Sequence, residues 1–324
     1  MGAGVILQQA ISPSPDQSLF APYPQSCVPS TLVLPHGRRL CYQEYGHATG
    51  FPLFYFHDSG SSRLECAFFH RSARLNNYRL IAVDRPGIGG SEYCSMYSPQ
   101  EFCADVLTLA DHLGIARFGV MSLGAGGIFG LTMAHRHPQR VAFQLNLAGV
   151  PGSVFNEVGS SSYASSCWNE LTPPMVKLLV RLRHILLPST TAQYIARLQK
   201  YLSSIDRKVL RDPAVMAILE QDQQEALRHG YKGVAQDLAI CFRKLDFNLQ
   251  EVAVPIVIWQ GCADRLSQRS DCEYMVARMP VAKFHRVRNR GHFFFVHSMD
   301  YVFGQLGQLG QLGQINTKKS AIAA

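Results

Sequence analysis

Along the chain, apolar residues cluster in short runs that alternate with longer stretches of helical period. Two runs near the start, TLVLP and RLCYQEYG, flank His36-Gly37-Arg38 and predict a β-hairpin. Five more follow, LFYFH, RLIAVD, FGVMS, FQLNLAG and PIVIWQG, and most end in Gly, Ser or Asp and feed a loop, as buried strands do. Between them lie helical patterns such as SPQEFCADVLTLADHLG. There Ser98 is placed to cap the first turn, Glu101 stands three residues on, and Gly114 closes the end. Strands alternating with helices imply an α/β fold, a mainly parallel sheet covered by helices on both faces.

From Gly149 to Pro255 the strand signal gives way to Ser-rich turns and helical stretches, PPMVKLLVRLRHILL and DPAVMAILEQDQQEALRHG among them. Because PIVIWQG then restores the sheet pattern, this reads as a helical cap inserted before the penultimate strands. The expected organisation is a flexible arm over 1–30, core over 31–150, cap over 151–250, core again over 251–307 and a flexible tail over 308–324. The Pro, Ser and Gln of the arm and the short Gln-Leu-Gly repeat of the tail carry those end assignments.

Composition narrows the function classes. With 47% hydrophobic and 17% charged residues, the 324-residue chain has an ordinary globular make-up. The net charge of +8 is scattered through RLRHILL, RKVLRD and FHRVRNRGH instead of forming a tract, which argues against a nucleic-acid partner. Nine cysteines without C-x-x-C spacing indicate neither a disulfide framework nor a zinc site, and a reducing, cytoplasmic setting is expected. The amino terminus makes a poor signal peptide, and Lys177, Arg181, Arg183 and His184 break the most apolar helical stretch, so no stable membrane span is expected. No metal site or cofactor signature is found. GAGG lacks the spacing of a dinucleotide loop, and His135 and His137 are two apart on a helix, so they cannot face one metal.

Four stretches taken in order, FHDSGSSRLE (56–65), DRPGIGGS (84–91), SLGAGG (122–127) and GCAD (261–264) with RGH (290–292), resemble the α/β-hydrolase superfamily over about residues 31–305. The resemblance implies a nucleophile elbow of the form small-x-nucleophile-x-small, with the nucleophile held at positive φ. If Ser122 were that nucleophile, the preceding small position would be the β-branched Val120. If Gly124 holds the place, Ser122 and Gly126 supply the small flanks, and IFGLTMAHRHP follows as the helix. The second register is the expectation, with Ser122 kept as the alternative nucleophile. Glycine avoids the roughly 1–3 kcal/mol of strain that another residue bears there, but it cannot form an acyl-enzyme.

The resemblance further implies Asp264 in the acid position and His292 in the base position, and an oxyanion-hole region at Asp58 and Ala125. At that loop, family members carry His-Gly, whereas this chain has His57-Asp58, and an inward carboxylate would repel an oxyanion. Asp84 is expected to serve the turn after its strand. The expected function is therefore action on a small organic substrate between sheet and cap. In it an Asp264–His292 general base drives a lyase, cyclase, isomerase or water-activating reaction, as a tailoring step of specialised metabolism. Asp58 is the complementary acid in that reading. The alternatives are a serine hydrolase using Ser122 and a non-catalytic ligand-binding protein.

Overall fold

The computed structural model describes residues 28–306 except 96, 151–173, 176–177, 179–190, 242 and 244. The expected hairpin is present: β1 (Ser30–Val33) pairs antiparallel with β2 (Arg39–Gly46), with Gly37 turning the chain at φ +86°. β3 (Phe51–Phe56), β4 (Tyr78–Val83), β5 (Phe118–Leu123), β6 (Val141–Leu147) and β7 (Ile256–Gly261) coincide with the five apolar runs. All seven join one sheet with an eighth strand, β8 (Ala282–Val287), in the order β1-β2-β4-β3-β5-β6-β7-β8, parallel from β4 onward. β8 is absent from the sequence reading. It is an edge strand in which Phe284 alone is buried, so it offers no apolar run to detect.

Helices cover both faces. α1 (His70–Leu75) follows β3, and α2 (Pro99–His112) begins at Ser98, whose Oγ accepts the Glu101 N–H at 3.2 Å. α3 (Gly127–Arg136) leaves β5 across a single tight turn. Apolar side chains divide between two cores, one on each side of the sheet. Phe54, Phe56, Val120 and Ile258 point to one, and Leu53, Tyr55, Met121 and Trp259 to the other, as the period of a strand requires.

Between β6 and β7 the described residues include the helices α4 (Thr191–Leu198), α5 (Ser204–Val209), α6 (Pro213–Ala226) and α7 (Tyr231–Cys241). The stretch PPMVKLLVRLRHILL lies almost wholly outside the described residues, as do the first 27 residues and those after 306. α8 (Arg269–Arg278) precedes β8, and a last helix spans 295–306 after it. No helix among the described residues is long and apolar enough to cross a membrane.

Buried ions fasten the cap helices to the core loops. The guanidinium of Arg85, fully buried after β4, donates from Nε and Nη2 to Asp237 of α7 at 2.6 and 2.7 Å, and from Nη1 to the carbonyl of His57 at 2.6 Å. Arg63 Nη1 bridges Asp84 and Glu225 of α6, each at 2.6 Å. Asp84 also accepts the N–H of Gly90 at 2.8 Å, so it does serve the turn after its strand. Removing one partner of such a buried pair leaves an uncompensated charge. Asp237→Ala should therefore lower unfolding free energy by about 3–5 kcal/mol. Denaturant titration of Asp237→Ala checks this, and Arg85→Met with Asp237→Leu should recover much of the loss.

Candidate active site

The turn from β5 into α3 places Gly124 at its apex with φ +49°, in the left-handed region. Close approach explains the small residues around it. A Cβ on Gly126 would collide with the carbonyl of Phe56 and sit 2.7 Å from that of His57. Ser122 lies two residues back inside β5. Its side chain is fully buried, its Oγ accepts from Gln144 Nε2 at 3.2 Å, and it does not line the cavity described below.

Asp58 follows β3 and turns its carboxylate over the elbow. Oδ1 accepts the N–H of Ser59 and the N–H of Ala125, both at 2.7 Å. A Cβ on Gly124 would overlap Oδ1 and Cγ of Asp58 and lie 2.7 Å from Oδ2. The carboxylate thus fills the space of a residue-124 side chain and takes the backbone N–H that follows it. Its loop is held from behind. Asp58 N–H donates to Glu65 Oε2 at 2.8 Å, and the Asp58 carbonyl accepts from Arg85 Nη2 at 3.1 Å and from His57 Nδ1 at 2.8 Å. Burial and the neighbouring Arg85 charge hold His57 well below its usual pKa, so it is neutral and structural.

Asp264 and His292 meet across the ends of β7 and β8. Asp264 Oδ2 accepts from His292 Nδ1 at 3.0 Å, while Oδ1 accepts the N–H groups of Leu266 at 2.8 Å and Ser267 at 3.2 Å. The imidazole is therefore oriented by a carboxylate that is itself fixed by its own turn. Burial alone would lower the His292 pKa. The charge and hydrogen bond of Asp264, with the charges of Asp58 and Asp206, outweigh it and raise the value to about 9. At neutral pH the imidazole is proton-loaded.

Asp58 and His292 line one cavity, whose apolar wall includes Leu123, Ile195, Leu219 and Phe293. Glu65 and Asp222 line it too. Glu65 accepts from Tyr55 Oη at 2.5 Å and Ser61 Oγ at 2.9 Å, and Asp222 Oδ1 accepts from Ser62 Oγ at 2.7 Å and from the N–H groups of Ser62 at 2.8 Å and Glu65 at 3.0 Å. Burial, and for Glu65 the charges of Asp222 and Asp58, push both carboxyls up. Asp206 of α5 fixes the His292 loop by accepting the N–H of Phe293 at 2.9 Å. Sequence reasoning missed Glu65, Asp222, Asp206 and Arg85. The Ser62-x-x-Glu65 spacing was a signal for Glu65, but it reads as a helix cap. Nothing local marks the others.

Residues 32–305 match the model of the alpha/beta hydrolase family. The chain belongs to that family. Among characterised relatives of this alpha/beta hydrolase, a dihydrolipoyllysine-residue acetyltransferase component of an acetoin cleaving system from Pseudomonas putida is 32% identical over 204 residues, 61% of this chain. The match spans about half of that protein, 52% of its length. An enol-lactonase from Burkholderia xenovorans superposes with a TM-score of 0.67 at 19% identity, covering 86% of this chain and 98% of its own. An esterase from Thermogutta terrifontis gives 0.65 at 18% identity, covering 88% and 99%. At these identities the solved structures share the fold.

Two outcomes follow from the site. Gly124→Ser should cost about 1–3 kcal/mol through positive φ and the collision with Asp58, and Asp58→Gly in the same chain should return at least about 1 kcal/mol of it. Unfolding of the two single variants and the double variant measures this coupling. The second concerns pH. The folded pKa of His292, about 9, lies above its ordinary 6.5, so its contribution to stability is complete below about 6.5 and is lost as pH rises through about 9. Wild type should therefore lose more unfolding free energy between pH 6 and pH 10 than His292→Asn does, as read by denaturant titration at the two pH values, chosen to lie roughly outside that window.

Proposed function

We propose that this alpha/beta hydrolase acts on a small organic molecule held between sheet and cap, with the Asp264–His292 pair as proton carrier and no acyl-enzyme on residue 124. The carrying observation is the Asp58 carboxylate, which occupies the side-chain space of Gly124 and accepts the Ala125 N–H. A tetrahedral oxyanion on the substrate would need that N–H and would meet a negative charge instead. Conventional ester hydrolysis is disfavoured on both counts. Ser122 does not replace the missing nucleophile, because its hydroxyl is buried beneath the turn and bonded to Gln144.

Proton transfer remains as the chemistry of the pair. His292 holds a proton in the resting site, gives it to the substrate and regains one, so it serves as acid before it serves as base. Elimination, ring closure, isomerisation and direct activation of water all belong to this class. Family behaviour, and not the site, suggests a tailoring step of specialised metabolism.

The test is intact-mass and peptide analysis after exposure to a fluorophosphonate, which labels activated serines. No adduct is expected on the folded chain. An adduct on Ser122 would return the protein to the serine hydrolases.

A further inference from the structure

A second pocket, of about 280 Å³, opens where β7 and β8 end beside the first turn of α8, and Gln260, Cys262, Asp264, Arg269, Ser270 and Arg286 are among the residues that line it. We propose that it is a binding site for a small α-hydroxy carboxylate, separate from the candidate active site. The proposal is independent of the reading of His292 as proton carrier.

Two unpartnered polar atoms carry it. Gln260 and Arg286 are register partners on neighbouring parallel strands. The preceding pair, Trp259 and His285, stacks on one face of the sheet with ring centroids 4.4 Å apart, so Gln260 and Arg286 stand together on the other, the face that α8 covers. Gln260 is 1% exposed; its Nε2 donates to the Ser267 carbonyl at 2.7 Å, but its Oε1 accepts nothing. Arg286 Nη2 donates to the Cys262 carbonyl at 3.2 Å, while its buried Nε–H has no acceptor. Buried polar groups are rarely left so. Here an orphaned donor on a cation and an orphaned acceptor come from adjacent strands to one pocket.

Charge and hydrogen bonding together select the ligand. The carboxylates nearby are committed: Asp264 to His292, Asp271 to the cap of α8, and Glu273 to Arg269, whose charge it offsets. Arg286, with the exposed Arg288 two residues on, therefore supplies the charge that a ligand meets. A guanidinium suits the planar oxygens of a carboxylate. Gln260 Oε1 then needs a donor beside that carboxylate. A hydroxyl on the adjacent carbon supplies it, whereas a fully ionised phosphate has no donor and an ammonium would be set next to the guanidinium. The pocket shares the turn that aims Asp264 at His292, so a ligand there rests on the support of the candidate active site without entering it.

The test is NMR titration of the full chain, labelled with nitrogen-15, with racemic lactate, propionate and lactamide, read from backbone amide and arginine Nε–H signals. Lactate is expected to bind about tenfold more tightly than propionate, the worth of one hydrogen bond to a buried acceptor, and lactamide to leave these signals unmoved. Gln260→Met should bring lactate down to the level of propionate. Arg286→Gln, on the partly exposed edge strand, should weaken both acids by about tenfold or more, with thermal melting showing that each variant is folded. Equal binding of lactate and propionate to wild type overturns the donor requirement, and lactamide binding as tightly as lactate overturns the anion. Binding of neither acid at about 50 mM overturns the site itself. Lactate binding undiminished in Arg286→Gln moves the ligand elsewhere and overturns the pocket.

Discussion

The Asp58 carboxylate and a side chain at residue 124 exclude one another, and the character of the site follows from which of them is present. With glycine at the apex, the turn keeps its positive φ without strain and the carboxylate lies in the vacated volume on two backbone N–H groups. Hydrogen bonds to an ionised acceptor are among the stronger ones, so this loop conformation is favoured by its contacts as well as by space. The glycine at the apex and the carboxylate that lies over it are therefore one structural arrangement, because each residue permits the other.

The same carboxylate adds to the electrostatics that Asp264 leads. Asp58, Asp264 and Asp206 all act on His292, and their summed charge outweighs the burial that would otherwise strip its proton. Glu65 and Asp222 stand beside them with their pKa values pushed up, mainly by burial. A cavity of this kind disfavours added negative charge and keeps protons close at hand. Such a cavity is what the proposed proton-carrying role of His292 requires.

The described cap helices hold the candidate site in place through buried carboxylates. Asp206, Asp222, Glu225 and Asp237 reach from α5, α6 and α7 to the His292 loop, the Ser62 turn, Arg63 and Arg85. Arg85 in turn holds the carbonyls of His57 and Asp58. The chain of contacts runs from a cap helix to the loop that aims the carboxylate at Gly124, so cap and elbow are parts of one arrangement.

The strands with apolar runs, the Ser98-capped helix and the insertion between β6 and β7 were legible in the sequence because periodicity, capping and turn residues are local properties that neighbours along the chain express. β8 was not, because an edge strand with one buried residue has no such signature. The order of the short motifs was enough to bring Asp264 and His292 into view as a pair and to single out Gly124. The direction of the Asp58 carboxylate was beyond reach. It depends on an N–H donated by a residue 67 positions away and on a carbonyl held by Arg85, which is itself held by a cap helix 152 positions on. Sequence alone set which elements form and in what order, since those follow from local patterns. Tertiary structure decided what fills the hollow of the elbow, since that is fixed by contacts among segments remote along the chain.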